Sequence, residues 1–391
     1  MEQFRAFSGE AARLVKENSP CYHFDAEALI RNIQAMRERF EGTAEICYSV
    51  KSNPFLVKYA AEAADCIEVC SEGELRLCEE AGIPTSKIVV GGIFKRDEEL
   101  EYLAGRQYRR ISVESLRELD ALAKAAARHG TVQDVLLRLS SGNQFGMRED
   151  ELLEAVGHPE RFPCIRFRGI HYYSGTQKKK GPDIEKDMDI LRRVAGRLRL
   201  PNLQIEYGPG IGFPALMEGS DWYDRLYEEI GPLLLPFCKE HFVTLEMGRA
   251  VTSAIGCYIT KIVDIREREK DLFYIVNGGI HHISYYGQVN GTRCPYIRYL
   301  EEQDTAPVQV TICGELCTAH DILAKKAEIP AGRIGDFLVF ENVGAYSVTE
   351  ARSLFLSHPL PSVLIRDATR TYAARSQRDT YKLNLPARFG R

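Results

Sequence analysis

The stretch Tyr48-Ser49-Val50-Lys51-Ser52-Asn53-Pro54 sets a lysine where an apolar run gives way to a polar turn. Ile46, Cys47, Tyr48 and Val50 read as a buried strand, Asn53-Pro54 breaks it, and Phe55 to Ala64 reads as a helix. A lysine at the carboxyl end of a strand holds its charge over whatever cavity the sheet surrounds. Desolvation there would lower its pKa and leave an amine able to form a Schiff base with an aldehyde cofactor. The plainer reading is a lysine capping a strand in water.

Outward from this stretch the chain alternates with unusual regularity. Apolar strand candidates fall at Ala44 to Val50, Cys66 to Cys70, Ile88 to Gly91, Arg110 to Val113, Val135 to Leu139, Arg166 to Tyr173, Leu203 to Tyr207 and Phe242 to Met247. Between them lie segments of helical period, among them Glu72 to Ala81, Ser115 to His129, Asp183 to Leu198 and Asp221 to Lys239. Strands alternating with helices imply a parallel sheet, and eight such units in about 210 residues is the size of a closed (β/α)8 barrel. A doubly wound open sheet would carry a glycine-rich fingerprint after its first strand, and Ser52-Asn53-Pro54 is not one.

Before the barrel, residues 1–20 form a polar, helical lead-in, Cys21 to Phe24 a short strand, and Asp25 caps a helix to about Phe40. After Arg249 short strand-like runs take over at Ile255 to Ile265, Leu272 to Val276, Val308 to Cys313, Phe337 to Phe340 and Ser362 to Ile365. The charged Arg266 to Asp271 reads as a solvated hairpin. The expected organisation is therefore α/β: an N-terminal segment, residues 1–24, packing with a C-terminal all-β domain at 254–391, and a barrel over 25–253.

The 391 residues carry 51 basic against 55 acidic side chains, a balance that points to neither nucleic acid nor an anionic membrane surface. No apolar run approaches the roughly 20 residues of a membrane helix, and Met1-Glu2-Gln3-Phe4-Arg5 does not open a signal peptide, so a soluble cytoplasmic protein is expected. The 11 cysteines read as reduced thiols. Cys66 with Cys70, or Cys313 with Cys317, is half a zinc site at most, and no metal is expected.

Barrel active sites gather at the carboxyl ends of the strands. After the seventh candidate strand comes Gly208-Pro209-Gly210-Ile211-Gly212, whose missing side chains let backbone N–H groups approach an anion. After the eighth comes Glu246-Met247-Gly248-Arg249, pairing a strand-end carboxylate with a guanidinium suited to a phosphate dianion. A carboxylate in such a mouth needs a cation to stay ionised, and a protonated pyridine nitrogen serves; a simple salt bridge between Glu246 and Arg249 is the alternative. An amine for an aldehyde, a cradle for a phosphate and a carboxylate for a ring nitrogen are the handles of pyridoxal phosphate.

With these residues the sequence resembles the fold-type III pyridoxal-phosphate decarboxylases, which include diaminopimelate and ornithine decarboxylases. The resemblance runs from Ser19-Pro20-Cys21-Tyr22 through Tyr48 to Lys51 and Ser71-Glu72-Gly73-Glu74-Leu75, to Glu246 to Arg249, Cys313 to Asp321 and Gly344-Ala345-Tyr346. It implies that Lys51 is the Schiff-base lysine and that Gly210, Gly212, Thr176, Arg249 and Tyr346 hold the phosphate. It further implies that Glu246 keeps the pyridine nitrogen protonated, that Arg138 lies near the cofactor, and that Cys317 comes from the partner subunit to reprotonate the α-carbon. The family fold is a barrel followed by a β-domain, in a homodimer with two shared active sites.

Three departures bear on substrate. Where diamine-processing members have a ring-stacking histidine, this chain has Tyr173 in Tyr173-Ser174-Gly175-Thr176, with His171 two residues earlier on the same face. Cys317 is followed by Thr318 where those members have an acidic residue that pairs with the distal ammonium of the substrate. Gln144 replaces a lysine that pairs with the residue matching Asp321. Together they resemble a branch that decarboxylates modified or carrier-tethered amino acids in secondary metabolism or siderophore assembly, with Tyr173 and His171 as candidate catalytic residues and Thr318 and Tyr346 facing a small-molecule amino-acid substrate. A diaminopimelate decarboxylase making lysine, an amino-acid racemase and a non-catalytic cofactor-binding homologue are the competing readings.

Overall fold

The computed structural model describes residues 7, 9–178, 180–213, 216, 222–285 and 290–386. By contact the chain divides into two bodies: one takes in residues up to Leu29 and from Val251 onward, the other Ile30–Phe213 and the stretch that ends at Ala250.

The second body is the expected barrel. Its strands are β2 (Ala44–Ser49), β3 (Cys66–Val69), β4 (Ile88–Val90), β5 (Arg110–Val113), β6 (Gln133–Leu139), β7 (Ile165–Tyr173), β8 (Gln204–Gly208) and β9 (Phe242–Met247), closed in that order. Every neighbouring pair is parallel, and β2 closes the ring on β9 from Ala44↔Val243 to Tyr48↔Met247. Two of the turns that lead from strand to helix share one device. Ser71 accepts the N–H of Glu74 at 3.2 Å to start α4 (Glu72–Glu80), and Ser115 accepts that of Glu118 at 3.2 Å to start α6 (Leu116–His129). The inner face of α6 buries Leu119, Leu122 and Ala126. The expected helix over Phe55 to Ala64 is split: Pro54–Leu56 forms a 3-10 turn, and α3 starts only at Val57 and ends at Ala63. Asn53 causes the split, since its side chain accepts the Phe55 N–H at 3.1 Å and caps the short turn. The helix expected from Asp221 is α9 (Trp222–Glu240), and Asp221 itself lies outside the described residues.

The first body holds a nine-stranded, mostly antiparallel sheet. The N-terminal strand β1 (Cys21–Asp25) lies inside it, antiparallel to β10 (Gly256–Arg268) and parallel to β16 (Ser362–Arg366). β10 turns at the charged hairpin into β11 (Asp271–Val276), which pairs with β13 (Pro307–Cys313). Val15, Cys21, Cys257, Ile259, Val339 and Leu364 form a fully buried cluster under the sheet. The Asp25 cap is present, accepting the Ala28 N–H at 3.0 Å. Three strands exceed expectation: β12 (Ile297–Tyr299), β14 (Ile322–Pro330) and β17 (Thr371–Arg375). Among the described residues no helix is long and apolar enough to cross a membrane.

Candidate active site

Lys51 sits in a 3-10 turn, Val50–Ser52, that directly follows β2. Its side chain is 42% exposed, where its strand-end position suggests desolvation. A carboxylate holds it instead: Nζ donates to both oxygens of the buried Glu68, at 2.9 and 3.0 Å, and lies 3.3 Å from the Cys70 sulfur. Burial pushes the Glu68 carboxyl up, but the Lys51 ammonium and the Cys70 thiol outweigh it and bring the group down to about 2. Glu68 had a signal in the sequence, a lone acid inside the apolar run Cys66-Ile67-Glu68-Val69.

Alternation along β7 sends His171 and Tyr173 to one face and Tyr172 to the other. Tyr172 stacks on Tyr207, which donates to Asp187 at 2.6 Å. His171 is buried, with Nδ1 2.7 Å from the Ser112 hydroxyl and Nε2 2.9 Å from Glu246 Oε1. The second contact is close but out of line, and neither atom has a hydrogen bond. Glu246 thus keeps a buried oxygen for which a cationic N–H would be the natural partner.

Tyr173 gathers the rest of this body's candidates. Burial raises its hydroxyl, a hydrogen bond with Thr176 and the charges of Lys51 and Arg249 oppose the rise, and Glu246 adds to it. The ring is therefore neutral and stands among Lys51, Thr176, Glu246 and Arg249. Gly208 leaves room between them: a Cβ there would come within 2.7 Å of the Tyr173 ring and 2.9 Å of Glu246 Oε2. Gly210 has φ +60, and a Cβ on it would meet the Gly175 carbonyl oxygen at 1.8 Å, so the 208–212 loop can pass this close to 174–178 only as glycine. The two loops are tied by Lys178 N–H to Gly210 O at 2.9 Å and Gly212 N–H to Lys178 O at 3.1 Å. The Gly212 amide is thus engaged by the neighbouring loop. Arg138 is buried at the end of β6, with Nη1 3.5 Å from Glu114 and its guanidinium 5.2 Å from the Phe145 ring centroid.

These donors fit pyridoxal phosphate. A buried carboxylate oxygen lacks an aligned donor, a glycine-lined space adjoins it, and a lysine amine and an arginine flank the same tyrosine. Cys317, Thr318 and Tyr346 lie in the other body. Cys317 is exposed on the 314–321 loop, and the Thr318 hydroxyl accepts the His320 N–H at 3.3 Å. Tyr346 holds φ +64, a left-handed conformation that a bulky side chain adopts at a cost. Asp321 accepts the N–H groups of Ile280 and Leu316, both at 2.8 Å, so backbone amides within its own body satisfy it without a lysine at position 144.

Deeper in the barrel, burial lifts the Glu206 carboxyl to about 8 against the pull of Arg110, whose Nε is 3.3 Å away. The unfolded chain releases that proton near 4.5 and the folded one near 8. Stability present below the first value is therefore lost progressively as pH rises toward the second. Melting temperatures of the natural protein and Glu206→Gln are expected to diverge across this window, the variant gaining as pH rises. A difference that stays constant with pH would show that Glu206 is ionised throughout.

The alanine racemase N-terminal domain family matches residues 24–208. The chain is 27% identical over 388 residues to 2-[(L-alanin-3-ylcarbamoyl)methyl]-2-hydroxybutanedioate decarboxylase of Staphylococcus aureus, covering 89% of this chain and 94% of that one. It is also 27% identical over 386 residues to L-glutamyl-[BtrI acyl-carrier protein] decarboxylase of Niallia circulans, covering 89% of each. Diaminopimelate decarboxylase of M. jannaschii, solved with L-lysine, superposes with a TM-score of 0.82 over 94% of this chain and 92% of that one, at 20% identity. At that identity the likeness shows the fold.

Proposed function

We propose that the chain is a pyridoxal-phosphate-dependent decarboxylase of fold-type III, as its likeness to decarboxylases of modified and carrier-tethered amino acids and of diaminopimelate supports, and that it removes the α-carboxylate of a modified or carrier-tethered amino acid, in secondary-metabolite or siderophore assembly. The observation that carries the reading is the gathering of Lys51, Glu246 and Arg249 around Tyr173 at the carboxyl ends of β2, β7 and β9.

Pyridoxal phosphate, when bound, supplies an aldehyde carbon that takes up amines and a ring that accepts the electron pair left as carbon dioxide departs. The chain's own residues do the rest. Lys51 provides the amine that anchors the aldehyde, and Glu68 orients its Nζ. Glu246 would keep the ring nitrogen protonated, with His171, fixed by Ser112, packed beside it. Arg249, Thr176, Gly210 and Gly212 would hold the phosphate, to which Tyr346 is assigned by resemblance, with Arg138 assigned near the cofactor in the same way. Tyr173 offers a neutral aromatic face to the ring. The Cys317 thiol would be the proton donor to the α-carbon, its own proton restored by solvent.

The loop around Cys317 bears on the substrate. Thr318 supplies no charge, Asp321 is taken up by two backbone amides, and Glu315 lies 3.5 Å from His281 and 3.4 Å from His358. No carboxylate of this loop is left to receive a distal ammonium, which disfavours free diamino acids. Carbon dioxide release from carboxyl-labelled amino acids tests the activity class, since a racemase would leave the label in an amino acid of inverted configuration and a non-catalytic homologue would leave the amino acid unchanged. Free lysine, ornithine and diaminopimelate are expected to be poor substrates, and Thr318→Glu is expected to improve at least one of them. The gain should appear mainly in KM, because a charge pair at the distal end contributes to binding and leaves the α-carbon chemistry unchanged. Efficient turnover of a free diamino acid by the natural protein would return the reading to diaminopimelate decarboxylase.

A further inference from the structure

We propose that His281, Glu315 and His358 form a binding site for a divalent cation of the zinc class, at the base of the loop that carries Cys317. The proposal does not depend on how the barrel site is read.

The three side chains come from separate segments, yet one donor atom from each lies within 4.8 Å of the others. Glu315 Oε1 is 3.5 Å from His281 Nε2 and 3.4 Å from His358 Nδ1. Zinc bonds of ~2.1 Å set tetrahedral ligands about 3.4 Å apart, so two of the three separations already suit the ion. His281 adds an independent observation. It is 0% exposed, and neither ring nitrogen has a hydrogen bond. Its Nε2 faces Glu315 Oε1 at 3.5 Å without the alignment of a hydrogen bond, a costly arrangement for a buried imidazole. A cation held between the three groups would occupy the imidazole nitrogen that now goes unused.

The surroundings hold the cluster in place without an ion. His282 donates Nε2–H to the Pro359 carbonyl at 2.8 Å and lies 3.0 Å from the Tyr258 hydroxyl through Nδ1. It is thereby excluded as a ligand and anchors the residue next to His358. Asp321, through the Ile280 and Leu316 amides, pins the neighbours of His281 and Glu315. Two imidazoles with one carboxylate suit zinc better than calcium or magnesium, and three protein ligands leave one position open. Glu315 precedes Cys317 by two residues, so a bound cation would fix the position from which Cys317 acts.

The test uses the full-length protein, stripped with a chelator and titrated with zinc by calorimetry and with cobalt(II) by visible absorption. Binding of about one ion per chain is expected, with cobalt d–d bands and no thiolate charge-transfer band. His358→Ala and Glu315→Gln, both at partly exposed positions and compared with the natural protein by circular dichroism, should each weaken zinc by more than about tenfold. Cys317→Ser and His320→Ala should leave the affinity unchanged, because those exposed side chains are the competing adventitious ligands. The proposal is overturned by the absence of stoichiometric binding, by binding that survives His358→Ala and Glu315→Gln, or by binding lost with Cys317→Ser or His320→Ala.

Discussion

Borohydride reduction of the holoprotein is expected to fix the cofactor onto Lys51, and replacement of Lys51 is expected to abolish that linkage and lower decarboxylation at least about a thousandfold. The choice of replacement matters. Lys51→Ala leaves the buried carboxylate of Glu68 without its main counter-charge, and with Lys51 itself 42% exposed the expected stability loss is about 1–3 kcal/mol. Lys51→Arg keeps a cation beside Glu68 while removing the amine that reacts with an aldehyde, so it should retain the melting temperature and still lose the linkage. A buried lysine elsewhere in the barrel makes the peptide map decisive. Lys95 is 1% exposed, but its ammonium is committed to Gly92 O at 3.1 Å, Ser112 O at 2.8 Å and Glu118 at 2.8 Å. With its three N–H groups engaged it is a structural lysine. A reduced adduct on Lys95, or one that persists in Lys51→Arg, would remove the basis of the whole site.

The barrel was legible because each of its units carries its own punctuation. A short apolar run ends in a polar turn, and in two units Ser71 and Ser115 start the next helix, so eight strands could be placed within a few residues of their ends. The sheet of the other body was only partly legible, for reasons visible in particular strands. β14 lacks a steady alternation because its pairing with β13 shifts register near Val310, and Lys326 adopts φ +53 where two lysines face solvent in succession. β17 has no buried residue at all and so leaves no apolar pattern to read. The site divides along the same line. Lys51, Glu246 and Arg249 announce themselves by standing at strand ends. Glu68 escapes because its meaning comes from a lysine 17 residues away on the neighbouring strand unit. His281, Glu315 and His358 are further apart still, and no spacing rule on one sequence brings them together.

The largest gain of activity is expected from mixing two inactive proteins. Lys51 lies in the barrel body and Cys317 in the other, and the family resemblance assigns them to one site by way of a second subunit. In a homodimer with shared sites, a Lys51→Arg subunit carries a sound Cys317 and a Cys317→Ala subunit a sound Lys51. When subunits reassort freely, about half of the dimers are mixed. Each mixed dimer has one site with both natural residues and one with neither, so activity should return to at most about a quarter of the natural level. The ceiling distinguishes this arrangement from simple stabilisation of one variant by the other, which has no reason to stop there. Exchange must be established independently, by pulling down mixed dimers through a tag on one subunit. If mixed dimers form and activity stays at the level of the separate variants, Cys317 either serves the site of its own chain or lies outside the chemistry, and in the second case Tyr173, beside Lys51, is the candidate to supply the proton to the α-carbon.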